Sequence, residues 1–280
     1  IWYEEKFDEN GELYLEATMP KMVNDIIKMM EKHKGDPIKK QDIPGTQGEC
    51  TYKWAGVTVD PEMYRKIVGK IMYLACKLFP EGSNGAQETA RQFGNPGADH
   101  WKEVEKYVGY LKENKEDVEL TYRRPKELRV VSNVDSNYAT NKEDRRSVSG
   151  HIHTVGGTIV SWMSKTQQTV ALSSCEAEYI SLASGAQEVK FLQMLLSEII
   201  YCVQPGILLE DNTGAIFLLK NSHVGQRTKH IDLRWHYIRG MRNNGEIEAD
   251  FVRSEDNESD ICTKNLPFRL LKGFRDNIRN

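Results

Sequence analysis

Leu128-Arg129-Val130-Val131-Ser132-Asn133-Val134-Asp135 is a β-rich run that closes on a carboxylate, and the rest of the reading extends from it in both directions. Downstream, residues 149–155 and 158–163 are strand candidates joined across Gly156-Gly157, a hairpin signal. A helical region is expected over residues 174–201. A short apolar strand, residues 207–209, then leads into Glu210 and Asp211. Helix is expected again over residues 213–221 and 229–243, followed by a strand over 246–252 and a helical region from about Asn257. Three strands, helix, strand, helix, strand, helix is a mixed α/β order.

Upstream of residue 126 the texture is mostly helical, with one short strand over residues 12–17. Val23, Ile26, Ile27 and Met30 recur at helical spacing until Gly35 and Pro37 stop them. A second helix over residues 61–78 carries Tyr64, Ile67, Ile71, Leu74 and Leu78 on one stripe, and residues 80–85 break it. A third, over residues 100–114, buries Trp101, Val104, Val108 and Leu111. Two domains are therefore expected, residues 1–125 and 126–280.

The chain has 280 residues, 39% hydrophobic and 28% charged, with a formal net charge of −3. That is an ordinary globular composition with no global sign of a nucleic-acid binder, although a sum over the chain hides local basic surface. Five scattered cysteines without a CxxC pair argue against a disulfide framework and a structural zinc site. No apolar stretch is long enough to span a bilayer, and the N-terminus lacks a secretory pattern. An intracellular location is expected, with no membrane partner. The chain opens at Ile1, and we expect it to be part of something longer.

Four acidic residues stand out by position. Asp135 and Asp211 each follow an apolar strand, and parallel neighbours would bring both to the C-terminal edge of the sheet, where open α/β sheets place their sites. Glu178 lies on a helix within Ser173-Ser174-Cys175-Glu176-Ala177-Glu178-Tyr179-Ile180, and Asp260 opens the last helical region. Such a cluster is unfavourable alone, because like charges raise one another's pKa. Mg²⁺ or Mn²⁺, which prefer oxygen ligands, removes that penalty. Two ions about 4 Å apart can activate a water and stabilise a leaving oxygen without a nucleophilic side chain. No convincing Ser–His–Asp or Cys–His set competes. An Asp at a strand end is, however, more often a turn or cap residue.

Val134-Asp135-Ser136-Asn137-Tyr138-Ala139 followed by Asp144-Arg145-Arg146-Ser147-Val148-Ser149-Gly150 resembles the start of a copia-type retrotransposon RNase H domain. The resemblance continues in Ser161-Trp162-Met163-Ser164-Lys165-Thr166-Gln167-Gln168-Thr169-Val170-Ala171-Leu172-Ser173-Ser174 and on through Tyr179. It resumes at Glu210-Asp211-Asn212, at Lys229-His230-Ile231-Asp232-Leu233-Arg234-Trp235-His236 and at Asp260-Ile261-Cys262-Thr263-Lys264. It implies an RNase H-like mixed five-stranded sheet flanked by helices. It also implies that Asp135, Glu178, Asp211 and Asp260 are four metal-binding carboxylates for two Mg²⁺ or Mn²⁺ ions. Glu176 is the fallback for Glu178; the two lie about 200° apart on a helix and cannot share a face. The activity implied is hydrolysis of the RNA strand of RNA–DNA hybrids.

The earlier part resembles the same family in Tyr64-Arg65-Lys66-Ile67-Val68-Gly69-Lys70-Ile71-Met72-Tyr73-Leu74-Ala75, in Asn95-Pro96 and in His100-Trp101-Lys102. By that resemblance residues 1–125 are thumb and connection elements of a reverse transcriptase, whose remaining polyprotein is an expected partner. The family's usual Thr-Arg-Pro-Asp stretch is replaced by Lys77-Leu78-Phe79-Pro80-Glu81. No Tyr-x-Asp-Asp motif occurs, so no polymerase activity is expected.

RNase H enzymes read shape and the 2′-hydroxyl, not base sequence. Ser136, Asn137 and Asn212 are candidates for the RNA minor groove. Arg145, Arg146, Lys165, Gln167 and Gln168 are candidates for phosphates, with a solvated turn as the alternative for the two arginines. His230 and His236 are expected in core or helix–helix hydrogen bonds, Trp162 in packing. Glu255 or Asp256 is a candidate metal-shuttling acid, in a loop that lacks the mobile His of many cellular RNases H. Hybrid binding is expected to be weak without help from the N-terminal part. The competing readings are a catalytically silent RNase H-like module of a reverse transcriptase and an integrase-like nuclease. All four acids are present, against the first; the early position of the helical Glu argues against the second.

Overall fold

The computed structural model describes residues 1–48, 59–125, 127–141, 143–201, 203–220 and 232–279. The chain divides into two compact units: Ile1–Arg123 with Lys264–Asn280, and Arg124–Thr263.

The first unit opens with strands β1 (Trp2–Phe7) and β2 (Leu13–Thr18), which continue through helices α1 (Pro20–Lys34), α2 (Pro61–Lys77), α3 (Ser83–Ala90) and α4 (Ala98–Glu113) to strand β3 (Glu119–Arg123). The three strands form an antiparallel sheet in the order β1-β2-β3. The expectation of one strand among helices was thus too simple here. The expected stripes are buried: Val23, Ile26, Ile27 and Met30 on α1; Tyr64, Ile67, Ile71 and Leu74 on α2, with Leu78 just beyond it; Trp101, Val104, Val108 and Leu111 on α4. Gly35 ends α1 in the left-handed region, at φ 81°, its N–H donating to the Glu31 carbonyl. Lys264–Asn280 belongs to this unit and not to the second domain read from sequence. Leu271, Phe274 and Ile278 of the C-terminal helix Phe268–Arg279 are buried, Arg275 donates to Asn114, and Arg279 pairs with buried Glu81.

The second unit runs β4 (Val130–Asn137), β5 (Val148–Val155), β6 (Thr158–Thr166), α5 (Ser174–Ser197), β7 (Gly206–Glu210), α6 (Thr213–Lys220), α7 (Asp232–Asn243), β8 (Ile247–Phe251) and the short α8 (Asp260–Thr263). The strands make one mixed sheet in the order β6-β5-β4-β7-β8. β4, β5 and β6 are antiparallel neighbours; β4, β7 and β8 are parallel. This is the helix-flanked RNase H-like sheet that the resemblance implied. Gly156 and Gly157, at φ 60° and 86°, turn β5 into β6, as a two-residue type I′ hairpin requires. The core lies between sheet and helices: Val130, Val134 and Leu208 from the strands, Ala183, Ala186 and Val189 from α5, and Trp235 and Ile238 from α7. That packing holds α5 against the central strands β4 and β7.

His236 is exposed and stands edge-on to Trp235, while α7 turns Trp235 and Ile238 inward. His230 lies outside the described residues. Trp162 is half-buried, opposite Ile152 across β5–β6.

A candidate metal centre at the end of the central strands

β4 and β7 are parallel neighbours in the register Asn133↔Leu209. Two residues further along stand Asp135, within β4, and Asp211, the residue that follows β7. Asp135 sits inside β4 rather than at its end, since the strand continues to Asn137 through its pairing with β5. The third acid comes from α5. Ser173 caps that helix, accepting from the Glu176 N–H, and Glu176 Oε2 accepts from the Leu172 N–H at 2.8 Å. These two contacts, the second to the residue just before the cap, engage Glu176 at the helix start. Glu178 is left to face the strand ends.

Asp135, Glu178 and Asp211 each offer a carboxylate oxygen within 4.8 Å of the other two. Asp135 and Glu178 are buried and Asp211 half-buried. Neighbouring side chains aim them. Thr263 Oγ1 donates to Asp135 Oδ2, Ser254 Oγ donates to Asp211 Oδ2 at 2.6 Å, and Ser181 Oγ donates to the Asp135 carbonyl at 2.7 Å. The set is oxygen-only, close-packed and acidic, which fits a hard divalent cation.

Asp260 is buried at the start of α8 and lies outside the group of three. Its segment is nonetheless pressed onto the same strands. Buried Asn257 Nδ2 donates to the Val134 carbonyl at 2.8 Å, and Ser259 Oγ donates to Asn257 Oδ1 at 2.6 Å. Opposite Asp135 on β5 stands Gly150, where a Cβ would come within 2.5 Å of Thr263 Cγ2 and 2.8 Å of Cys262 Cβ. Glycine is what lets α8 approach.

The expected nucleic-acid contacts fall into three kinds. Ser136 is buried beside Asp135, and its Oγ has no hydrogen-bond partner. Asn137 Nδ2 donates to the Thr263 carbonyl, and Asn212 Oδ1 accepts from the Ala215 N–H at the start of α6, so both are engaged locally. Arg145, at φ 55°, and Arg146 sit in an exposed turn where Arg146 also meets Asp144. Lys165 and Gln168 are exposed along a groove of about 410 Å³ that Gln187, Arg234 and Tyr237 also line. Gln167 is buried, and its Nε2 donates to Ser149 Oγ and the Ala177 carbonyl, which removes its amide N–H groups from phosphate duty. Glu255 and Asp256 are exposed in the turn Ser254–Asp256, Glu255 near Arg253.

Sequence reasoning missed Glu210. It is fully buried at the end of β7, and burial, then Glu178, Asp135 and Asp211, push its carboxyl well above the usual range. Its signal was the burial parity of β7: Gly206, Leu208 and Glu210 share the inward face.

No protein-family model matches the chain. The Pol polyprotein of transposon TNT 1-94 from Nicotiana tabacum is 32% identical over 212 residues, covering 75% of this chain and 16% of that protein. The Pol polyprotein of transposon RE2 from Arabidopsis thaliana is 33% identical over 220 residues, covering 78% and 15%. The chain thus spans less than a fifth of the length of these relatives. LC11-RNase H1, isolated from compost, aligns with 49% of this chain and 93% of its own at 12% identity and a TM-score of 0.39; the family assignment rests on the sequence relatives. By that likeness the chain belongs to the copia-type Pol polyproteins of retrotransposons, as a piece of their reverse transcriptase C-terminal region with its RNase H domain.

Proposed function

We propose that the second unit hydrolyses the RNA strand of RNA–DNA hybrids with two divalent ions, Mg²⁺ or Mn²⁺, bound at Asp135, Glu178 and Asp211, with Asp260 as the fourth carboxylate. The observation that carries this reading is the meeting of three acids from β4, α5 and the end of β7 within 4.8 Å. Bound ions would supply an activated water and charge stabilisation at the leaving oxygen. Thr263 and Ser254 fix the rotamers of Asp135 and Asp211, so the ligand oxygens need little rearrangement. Cys175 is no rival nucleophile. Burial, and after it Glu210, Glu178 and Glu176, raise its thiol and disfavour the thiolate.

Lys165, Gln168, Arg145 and Arg146 are our proposed phosphate contacts, and Ser136, Asn137 and Asn212 our proposed contacts to the sugar edge of the RNA; exposure of Lys165, Gln168 and the two arginines supports the first group. Residues 1–125 would be thumb and connection elements that help hold the hybrid, with the rest of the polyprotein as partner. Among the described residues no helix is long and apolar enough to cross a membrane.

The test is cleavage of a labelled RNA strand in a hybrid, with Mg²⁺ or Mn²⁺, by wild type and Asp135→Asn. We expect metal-dependent cutting of the hybrid but not of single- or double-stranded RNA. The substitution should slow it by a factor on the order of 10³, the scale of losing a main electrostatic stabiliser. No cutting by wild type in either metal, with hybrid still bound, would instead support the silent module.

A further inference from the structure

A groove of about 410 Å³ opens on the α5 face of the second unit's sheet. Ser149 and Lys165, directly opposed across β5 and β6, both line it. Ser149 Oγ accepts from Gln167 Nε2, which also donates to the Ala177 carbonyl, so this pair faces α5. Gly150, the next residue of β5, faces α8 instead, where Thr263 donates to Asp135. The groove and Asp135 therefore lie on opposite faces of the sheet. Along α5 the groove runs from Ile180 to Gln187, about 10 Å of helix that begins two residues after Glu178. Arg234 of α7 also lines it.

No carboxylate lines this groove, while two cations do, Lys165 from β6 and Arg234 from α7. Among the described residues neither of these two side chains makes a hydrogen bond or an ion pair. Elsewhere in the same unit Lys190 pairs with Glu246 at 2.7 Å and Arg129 with Glu248 at 2.8 Å. Lys165 and Gln187 are exposed and Arg234 is half-buried, so their donors are open to a ligand. Two uncompensated cations with no acid beside them favour a ligand of dense negative charge.

We propose that this groove holds the sugar–phosphate backbone of one strand of the bound nucleic acid, with Lys165 and Arg234 on its phosphates. It is an anchor on the other face of the sheet from Asp135, and Arg234 is its new member. The class of ligand rests on the hybrid reading above. Contacts of this kind fix the position of the strand and carry no base preference.

The experiment is fluorescence anisotropy of a labelled RNA–DNA hybrid with the full chain, in EDTA so that no metal-dependent cutting occurs. Salt is varied over about 50–200 mM, the range in which phosphate contacts declare themselves. Wild type, Lys165→Gln, Arg234→Gln, Arg234→Lys and Lys220→Gln are compared, with thermal melts to check folding. Lys220 is an exposed cation of α6 outside the groove. Lys165→Gln and Arg234→Gln should each weaken binding roughly five- to tenfold near 0.1 M salt and lower the salt slope by about 1. Arg234→Lys should keep the wild-type slope, and Lys220→Gln should match wild type throughout. Wild-type affinity and slope in Lys165→Gln and Arg234→Gln, or an equal loss in Lys220→Gln, would overturn the inference. So would absence of hybrid binding by wild type. Should Arg234→Gln not fold, Lys165→Gln carries the test, and an unchanged slope there would overturn it. Cleavage in Mg²⁺ by wild type and by Asp135→Asn is scored separately, so the metal reading stands or falls independently.

Discussion

His151 and His153 lie side by side on β5, both buried, with His153 Nε2 and His151 Nδ1 2.7 Å apart. Burial holds the His151 imidazole down to about 4, and burial with His151 holds His153 well below the usual range. The groups facing the pair are Ser184 of α5, 3.5 Å from His151 Nε2, and Ser132 and Ser161 on the flanking strands, Ser161 donating to Glu188. The folded state keeps both rings neutral, while the unfolded chain takes up protons near pH 6.5. Their contribution is therefore full above about pH 6.5 and is lost as pH falls toward 4. For His151 alone this amounts to about 3 kcal/mol. Glu88 in the first unit has the opposite sign. Burial raises it to about 7, so its contribution is full below about pH 4.5 and is lost as pH rises through 7. Urea unfolding from pH 4 to 8 should show a flatter acid limb in His151→Gln and a flatter limb between pH 4.5 and 7 in Glu88→Gln. Slopes identical to wild type would contradict both assignments. At this scale the sequence was most legible where position and motif agreed, at Asp135, Glu178 and Asp211. Glu210 escaped because an acid beside a motif acid looks like part of a solvated turn, and only burial separates the two. Gln167 was read as a phosphate contact because nothing in a Gln-Gln pair tells which side chain folds under α5.

α8 is only four residues long, yet it carries Asp260 and presses Thr263 onto Asp135. Its seat on β5 depends on Gly150, where a methyl group would meet Thr263, Cys262 and the Ser259 carbonyl. Gly150→Ala should displace α8, destabilise the second unit by about 1–3 kcal/mol, the cost of overpacking, and slow hybrid cleavage more than tenfold. Urea melts and single-turnover cleavage check this; wild-type stability and rate would refute the proposed seat. Elements with an apolar stripe at helical spacing, α1, α2 and α4, were readable in advance, and the β5–β6 hairpin was readable from Gly156-Gly157. β1 was not, since all of its residues but Lys6 are exposed and it shows no alternation. α3 was not anticipated: residues 80–85 were read as a break, and Ser83-Asn84-Gly85-Ala86-Gln87-Glu88-Thr89-Ala90 has no apolar stripe. In the structure it is a buried polar helix, with Tyr64 donating to the Thr89 carbonyl and Asn265 to Glu88. Tertiary packing overrides local pattern there.

At the scale of the molecule, the two units are built on different sheets, one small and antiparallel, the other mixed, and only the second brings acids together in a group among the described residues. The assignment of the C-terminal stretch to the first unit was not legible, because the amphipathic helix Phe268–Arg279 shows an apolar face but not which core receives it. The central proposal is that Asp135, Glu178 and Asp211 form the hydrolytic centre, while Glu176, two residues from Glu178, serves the helix cap. The most direct test is single-turnover cleavage of an RNA–DNA hybrid in Mg²⁺ by Glu178→Gln and Glu176→Gln, each checked for folding. The account predicts a loss on the order of 10³ for Glu178→Gln and a rate within about tenfold of wild type for Glu176→Gln, whose lost cap contact costs about 0.5–2 kcal/mol of stability. Near-wild-type cleavage by folded Glu178→Gln, or loss in Glu176→Gln alone, would contradict it.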